Sequence, residues 1–469
     1  MEKEEIGDTL VECVRDLLIL KHKHNINYRK LCNILKQIIV REKGFENVLG
    51  MIPLEETAKS TVSEFLTNMT SLMAYVNKVR ADWGDNESFR FTCAGIVNGS
   101  LLFEMLVDMY ATENGLEFRS ILMESISEPE TFKKMGEPIF NEFVNSWFGY
   151  LHKKTTWKLI IPLYGLSLYG EKFLFLDYER NGKPYELVFK EGVKIRKLSL
   201  FEYLKIKLSL WGNFNIPFKP NLVLERALWV VELTPEIPEM SEGLIEKVIK
   251  DAENEILPII TSLRIANPYP DSYDTLWTKI IVLMSPSPTE KDEVYLFTVF
   301  DLPSKFQKAD VLLFPMPTLI ITDTKKVIEI YKLLTTSPIW RDNKYQIAIR
   351  RFNMVYTREK LEDKILDLAI ALEALFSKGP GDLRYKVSLR LSRLLENNPE
   401  NREKIFEKTK KFYSQRSSIV HGRRTEVNEH EIKEIANYVK QAIYKFAELS
   451  KTQNMKHVSD ILKYIDHYL

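Results

Sequence analysis

Apolar residues recur at helical spacing over the first 80 positions. Leu10, Val14, Leu17 and Leu18 form one stripe, and Leu31, Ile34, Ile38 and Ile39 form a second. The stretch TAKSTVSEFLTNMTSLMAYVNKV repeats the pattern. Steps of three and four put these side chains on one face, which predicts amphipathic helices. A weaker helical signal runs through 98–150, with Trp147, Phe148 and Tyr150 as expected core aromatics. At about Thr155 the pattern changes. WKLIIPLYGLSL, EKFLFLDY, YELVFKEGVKI, RALWVVEL, WTKIIVLM and EVYLFTVF are rich in β-branched and aromatic residues, and Gly170 and Asn181-Gly182 punctuate them. They predict strands, interrupted by one long helix in SEGLIEKVIKDAENEILPIITSL. VLLFPMPTLIIT, at 311–322, predicts a buried strand pair. From about Asn343 the pattern is purely helical. Leu361, Ile365, Leu368, Leu372 and Leu375 make one stripe, ended by Gly379-Pro380-Gly381. Val387, Leu391, Leu394 and Leu395 make the next, and Ile405, Phe406 and Phe412 a third. Asn428, with Glu431 three residues on, predicts a capping box. The helix behind it carries Ile432, Ile435, Val439, Ile443 and Phe446, and a last one holds Val458, Ile461, Leu462 and Ile465. Short loops between these helices predict an antiparallel bundle.

The expected fold class is therefore α+β and multidomain. Residues 1–150 form a mainly helical region, 151–340 a β-rich α+β domain, and 341–469 an all-α bundle. A length of 469 residues exceeds what one core usually serves. Lys+Arg (66) and Asp+Glu (65) nearly cancel, which excludes a globally basic nucleic-acid coat and leaves only local patches. The three cysteines, Cys13, Cys32 and Cys93, are far apart and form no CxxC. That argues against a zinc ribbon or disulfide scaffold and for a reducing cytoplasm. The acidic start predicts no secretory signal. No apolar run reaches the ~18–20 residues of a membrane span, so no membrane partner is expected.

Common site motifs are missing. GxxxxGK[ST], GxGxxG and GxSxG do not occur. His430-Glu431 lacks the second histidine of HExxH. Asn98-Gly99-Ser100 with Asp108 lacks the second aspartate of a nucleotidyltransferase loop, because Tyr110 stands there. His22 and His24 fall on an expected solvated, lysine-rich helix end. The carboxylates show no metal-ligand spacing, so no metal and no cofactor is expected.

One polar segment stands out: KKFYSQRSSIVHGRR, Lys410–Arg424. Arg416 and His421 are five apart. Spacing alone allows a plain reading, in which Arg416 pairs with a carboxylate on a helix surface, His421 caps the helix end and Gly422 supplies a left-handed stop. The wider context adds to this. IAIRRFNMVYTREKLEDKILDLAIALEALF (347–376), DLRYKVSLRLSRLL (382–395) and FYSQRSSIVHG (412–422) follow one another at set spacing. Together they resemble the Apea-like branch of the HEPN superfamily, over about 343–450, roughly a quarter of the chain. In that branch an arginine-phenylalanine-asparagine stretch leads into an "ALEAL" helix, followed by an arginine-bearing helix and an R-x4-H-G segment.

The resemblance implies a HEPN-type bundle acting as a metal-independent endoribonuclease, in a toxin or antiviral effector. It places the catalytic pair on Arg416 and His421. Ser417 departs from the asparagine, aspartate or histidine common after the arginine, but still offers a donor and an acceptor. Glu373 takes the acidic "ALEAL" position and is expected to orient an arginine, Arg416 or Arg390. Tyr413 is expected to pack. Lys408, Lys410, Lys411, Arg423 and Arg424 would guide RNA. A second basic stretch, Lys190, Lys194, Arg196, Lys197, Lys205 and Lys207, is expected to be an ordinary solvated face. The residue types suit the chemistry. Histidine titrates near ~6.5 and serves as base or acid, while the arginine fork matches two phosphate oxygens. The RNA 2′-OH is the nucleophile, so a 2′,3′-cyclic phosphate and a 5′-OH result. Arg416 and His421 lie about 140° apart on a continuous helix. One histidine cannot conveniently work on both sides of the phosphorus, so a homodimer through the bundle is expected to supply the second copy. Residues 1–340 would sense an unknown trigger. The alternative is a non-catalytic HEPN protein that binds RNA, dimerises or regulates a partner.

Overall fold

The structure, a computed structural model, describes residues 3–26, 55–152, 158–163, 166–168, 179–180, 183–184, 186–196, 199–211, 229–233, 242–267, 280–284, 294–298, 319–321, 323–358, 360–378, 382–423 and 427–469. The expected stripe at Leu31–Ile39, the strand EKFLFLDY, Gly170 and the Gly379–Gly381 helix stop lie outside these residues. The described chain is mostly helical, with an antiparallel sheet in its middle.

Helices α1 (Lys3–His22), α2 (Glu56–Val79), α3 (Asp85–Asn114), α4 (Phe118–Ser127) and α5 (Pro129–Leu151) share one core. The stripe read from the sequence is its inner face: Leu10, Val14, Leu17 and Leu18 are all buried. Phe103, Phe132 and Phe140 interlock, with ring centroids 4.4–5.8 Å apart. Helix α3 contains the Asn98-Gly99-Ser100 stretch, and Gly99 explains its own presence. A Cβ there would stand 2.6 Å from Val14 and 2.8 Å from Phe143, so the small residue lets three helices close up. The window Glu87–Thr112 of α3 is long and apolar enough to cross a membrane, and 72% of its most apolar part is buried. The run is not purely apolar, because Thr92, Asn98 and Ser100 interrupt it. His22 also departs from expectation. It is not solvated at a helix end but binds Glu104 at 2.5 Å, beside Lys21.

A six-stranded antiparallel sheet follows. Its strands are β1 (Lys158–Leu163), β5 (Glu186–Lys190), β6 (Val193–Arg196), β7 (Trp229–Leu233), β8 (Ile280–Met284) and β9 (Val294–Thr298), in the order β5-β6-β7-β1-β8-β9. Strict alternation in β5, with Leu187 and Phe189 inward, marks a sheet with one covered face. Gly192, at φ 72°, closes the β5–β6 hairpin. Short β3 (Glu179–Arg180) and β4 (Lys183–Pro184) pair with each other, and the Asn181-Gly182 expected as a turn lies outside the described residues. The 311–322 stretch contributes β10 (Leu319–Ile321), which pairs in parallel with β2 (Leu166–Leu168); the rest of the expected strand pair lies outside the described residues. Helix α6 (Leu200–Trp211), not anticipated from the sequence, turns back to the first core through Phe201, Tyr203 and Leu204.

Helices α7 (Glu242–Ala266) and α8 (Thr324–Thr336) pack on each other. Then come α9 (Asn343–Val355), α10 (Leu361–Phe376), α11 (Leu383–Leu395), α12 (Pro399–Val420), α13 (Glu429–Gln453) and α14 (Val458–Tyr468). Helical structure thus begins ahead of Asn343. The core of these helices is continuous with that of the sheet: Leu159 and Ile161 of β1, Ile259 and Leu263 of α7, Ile330 of α8 and Ile443 of α13 belong to one buried cluster. It runs across the expected 340/341 boundary. Polar caps set the helix starts. Asp342 accepts from the Lys344 and Tyr345 amides, and Asn398 from those of Glu400 and Asn401. Asn428 caps α13 through the His430 amide, but Glu431 does not complete the expected box. Its carboxylate is held by Lys411 and Gln415 instead.

Asp16, on α1, is 4% exposed, and its Oδ2 has no hydrogen-bond partner among the described residues. Burial, then the nearby Glu64, push its carboxyl up to about 7, against the opposing pull of Arg15. A folded pKa above the unfolded ~3.9 means that the native state binds more protons between pH 4 and 7. Stability from this group is complete below about pH 4 and falls as pH rises through 7. Asp16→Asn is therefore expected to raise the melting temperature at pH 8, by up to about 4 kcal/mol of stability, and to leave it nearly unchanged at pH 4. Thermal unfolding followed by circular dichroism at the two pH values checks this.

Candidate functional site

Helix α12 presents the Arg416–His421 segment at its C-terminal end. His421 is the C-cap. The Gly422 amide donates to Ile419 O at 3.0 Å and the Arg423 amide to Ser418 O at 2.9 Å. Gly422 stands at φ 67°. These two bonds and the left-handed glycine form a Schellman stop. The plain reading of Gly422 is thus correct, but His421 caps through its backbone. Its side chain is exposed and has no hydrogen bond or ion pair among the described residues. Ser417 and Val420 are exposed beside it.

Arg416 points the other way, toward α10. Its Nη2 lies 3.5 Å from Glu373 Oε1. Of the two expected partners of Glu373, the structure selects Arg416. The contact is an ion pair but too long for a good charge-assisted hydrogen bond. Arg416 Nε and Glu373 Oε1 are both shielded from solvent with no hydrogen-bond partner among the described residues. The pair keeps unused donor and acceptor capacity. Tyr413 is buried one turn earlier, its hydroxyl 3.5 Å from Ala369 O. Burial, then the Glu373 charge, hold the Tyr413 phenol well above its usual range. It is a packing residue, as expected, and not a proton carrier near neutrality.

Arg390 does something else. It grips Asp466 with two hydrogen bonds of 2.8 Å and donates to Phe376 O at 2.7 Å. It ties α14 to α11 and satisfies the last turn of α10. It does not meet Glu373, so its expected supporting role becomes a structural one. Two residues of weight were not singled out from the sequence. Asp367, 2% exposed, binds both Arg351 at 2.8 Å and Arg358 at 2.6 Å. Asn353 receives Arg264 from α7 at 2.6 Å and donates to Thr261. The signal was present, because Arg351 and Asn353 flank Phe352 in the arginine-phenylalanine-asparagine stretch.

The basic residues are less free than the sequence suggested. Lys408 pairs with Glu434, Lys411 with Glu431, and Lys410 with Glu407 at 3.2 Å. Arg423 is exposed, and Arg424 lies outside the described residues. In the second basic stretch, Lys190, Lys194 and Arg196 meet Glu255, Glu186 and Glu202. Among the described residues no group of three His, Cys, Asp or Glu side chains is placed to hold a metal ion. Comparison with family models, curated proteins and solved structures finds no match to this chain.

The two arginines separate in a stability test. Arg390→Ala is expected to cost about 3 kcal/mol, the low end for breaking a buried pair, because Asp466 is partly exposed. Arg416→Ala, at a half-exposed pair, is expected to cost under 1 kcal/mol. Urea unfolding of both variants measures the difference.

Proposed function

We propose that the C-terminal helices form a HEPN-type bundle acting as a metal-independent endoribonuclease, working as a homodimer. The observation that carries this reading is the state of the two motif residues. His421 is exposed and unpaired at the helix stop, and Arg416, five residues before it on the same helix, is held by Glu373 only through a long ion pair and stays 34% exposed. A phosphate brought to the end of α12 would meet an exposed imidazole, with the Arg416 guanidinium on the same helix.

The reaction follows from these groups. One His421 accepts the 2′-OH proton as the 2′-oxygen bonds to phosphorus. The P–O5′ bond breaks, and the partner subunit's His421, in its protonated form, donates to the leaving 5′-oxygen. Arg416 offsets the charge that builds on the phosphorane, and Glu373 positions Arg416 from α10. A 2′,3′-cyclic phosphate and a 5′-OH are the products, and DNA, without a 2′-OH, survives. The two-fold arrangement uses the same surface of each subunit. A toxin or antiviral role, with residues 1–340 as the sensing part, belongs to the same proposal.

The second reading is a non-catalytic HEPN-type protein that binds RNA or dimerises. The observation favouring it is that Arg416 already has a counter-ion in Glu373. Incubation with total RNA in EDTA, followed by end-group analysis, separates the two, since only the first yields cyclic-phosphate ends. His421→Ala is expected to lose ~10²–10⁴-fold in cleavage rate with its melting temperature unchanged. Arg416→Lys is expected to be strongly impaired although charge is kept, because an ammonium is not a fork. Wild type mixed with excess His421→Ala is expected to lose more activity than dilution explains, because a heterodimer holds a single His421. Wild-type activity in a monomer by light scattering would exclude the shared site.

A further inference from the structure

The face of α12 that carries His421 continues away from it along the helix. At 100° per residue, Phe406, Lys410, Ser414, Ser417 and His421 fall within an arc of about 80°. The stripe runs over fifteen residue steps, or roughly 22 Å at 1.5 Å each. At its far end stands Tyr385 of α11, 51% exposed. The phenol ring meets Phe406 edge-on, centroids 5.6 Å apart and planes at 80°. Its hydroxyl has no hydrogen bond among the described residues, so the ring is braced on one side and open on the other. Arg384, exposed next to it, reaches along the same stripe to Ser414 Oγ at 3.4 Å. Lys410 Nζ sits 5.5 Å from the Phe406 ring centre. An upright aromatic with a cation at each hand therefore shares one face with the exposed histidine.

We propose that Tyr385 is a base-stacking platform for single-stranded RNA, with Arg384 holding the adjoining phosphate, a few nucleotides from the scissile bond. This rests on the ribonuclease reading of His421 and adds the form of its substrate. A single strand offers an unpaired π-face that a duplex keeps inside, and aromatic side chains take up such bases without regard to sequence. An exposed tyrosine carries little conformational entropy into the contact, and an arginine beside it suits a phosphate. An apolar protein partner is the poorer match, because Arg384, Lys410 and His421 would all need desolvation.

The test reads binding apart from cleavage, using an all-deoxy single-stranded oligonucleotide of twelve or so residues, which lacks the 2′-OH and survives. Tyr385→Ala is expected to weaken its binding by roughly 5- to 150-fold, the range for one stacked base, while Tyr385→Phe and Tyr385→Trp bind as wild type does. An abasic site scanned along the oligonucleotide is expected to reproduce the loss at one position, and there Tyr385→Ala adds no further loss. Equal binding by wild type and Tyr385→Ala, with RNA cleavage intact, overturns the platform and leaves the ribonuclease standing. Loss of RNA binding and cleavage alike in the wild type overturns both. A shift of Tyr385→Ala from dimer to monomer by light scattering, with its oligonucleotide affinity unchanged, overturns the platform and assigns this face to a second copy of the chain.

Discussion

Two carboxylates on α10 set the terms for the helices around them. Asp367 is almost fully buried, and an unpaired carboxylate in that position would cost several kcal/mol. Two arginines meet that demand, Arg351 from α9 and Arg358 from the turn between α9 and α10. The turn therefore has to hold Arg358 against the helix it leads into. Six residues on, Glu373 makes the looser version of the same contact with Arg416. One helix thus fixes its predecessor tightly and leaves α12 held by a long ion pair. The tight pair is structural. The loose pair holds Arg416 less firmly, and the arginine side chain stays 34% exposed.

The other constraint is conformational. The chain must leave α12 within one residue of His421, and only a residue tolerant of positive φ does so without strain. A side chain at φ near +67° costs about 1–2 kcal/mol, and Gly422 avoids it. The Schellman bonds use up the carbonyls of Ser418 and Ile419, so the helix end is satisfied without help from the imidazole. That frees the His421 side chain. The plain reading and the chemical reading of the segment are therefore compatible: the backbone does the capping and the ring stays open to solvent.

Much of this was legible in the sequence, for reasons that differ by element. The stripes at Leu10–Leu18 and Leu361–Leu375 forecast their buried faces because helical period and burial are directly linked. Gly422 was readable because only a left-handed stop explains a glycine there. Strands β5 and β6 were readable from their β-branched and aromatic residues. Helix α6 was not, because LFEYLKIKLSLW is apolar at both helical and strand spacings, and tertiary contact with α5 decided it. Arg390 stood beside Arg416 as a candidate partner of Glu373 because sequence order cannot show that α14 brings Asp466 to it. Lys408 and Lys411 read as part of a basic patch because their partners Glu434 and Glu431 are distant in sequence and adjacent only once α13 folds back.

That last point bears on how RNA would approach. With its lysines paired to α13 or to Glu407, α12 offers less free positive charge than a count of basic residues implies. Salt dependence of binding scales with phosphates neutralised, at about −0.7 per contact for a single strand. A site built from Arg416, Arg384 and Arg423 should therefore show a shallow slope, near −2 in log K against log salt. Its affinity would come more from stacking and from the geometry at the helix end than from a general field. A shallow slope also fits the near-zero net charge of the chain, which draws in no nucleic acid by itself. Specificity in such an arrangement lies in which strand reaches the end of α12 with a base free to stack, and a paired stem does not.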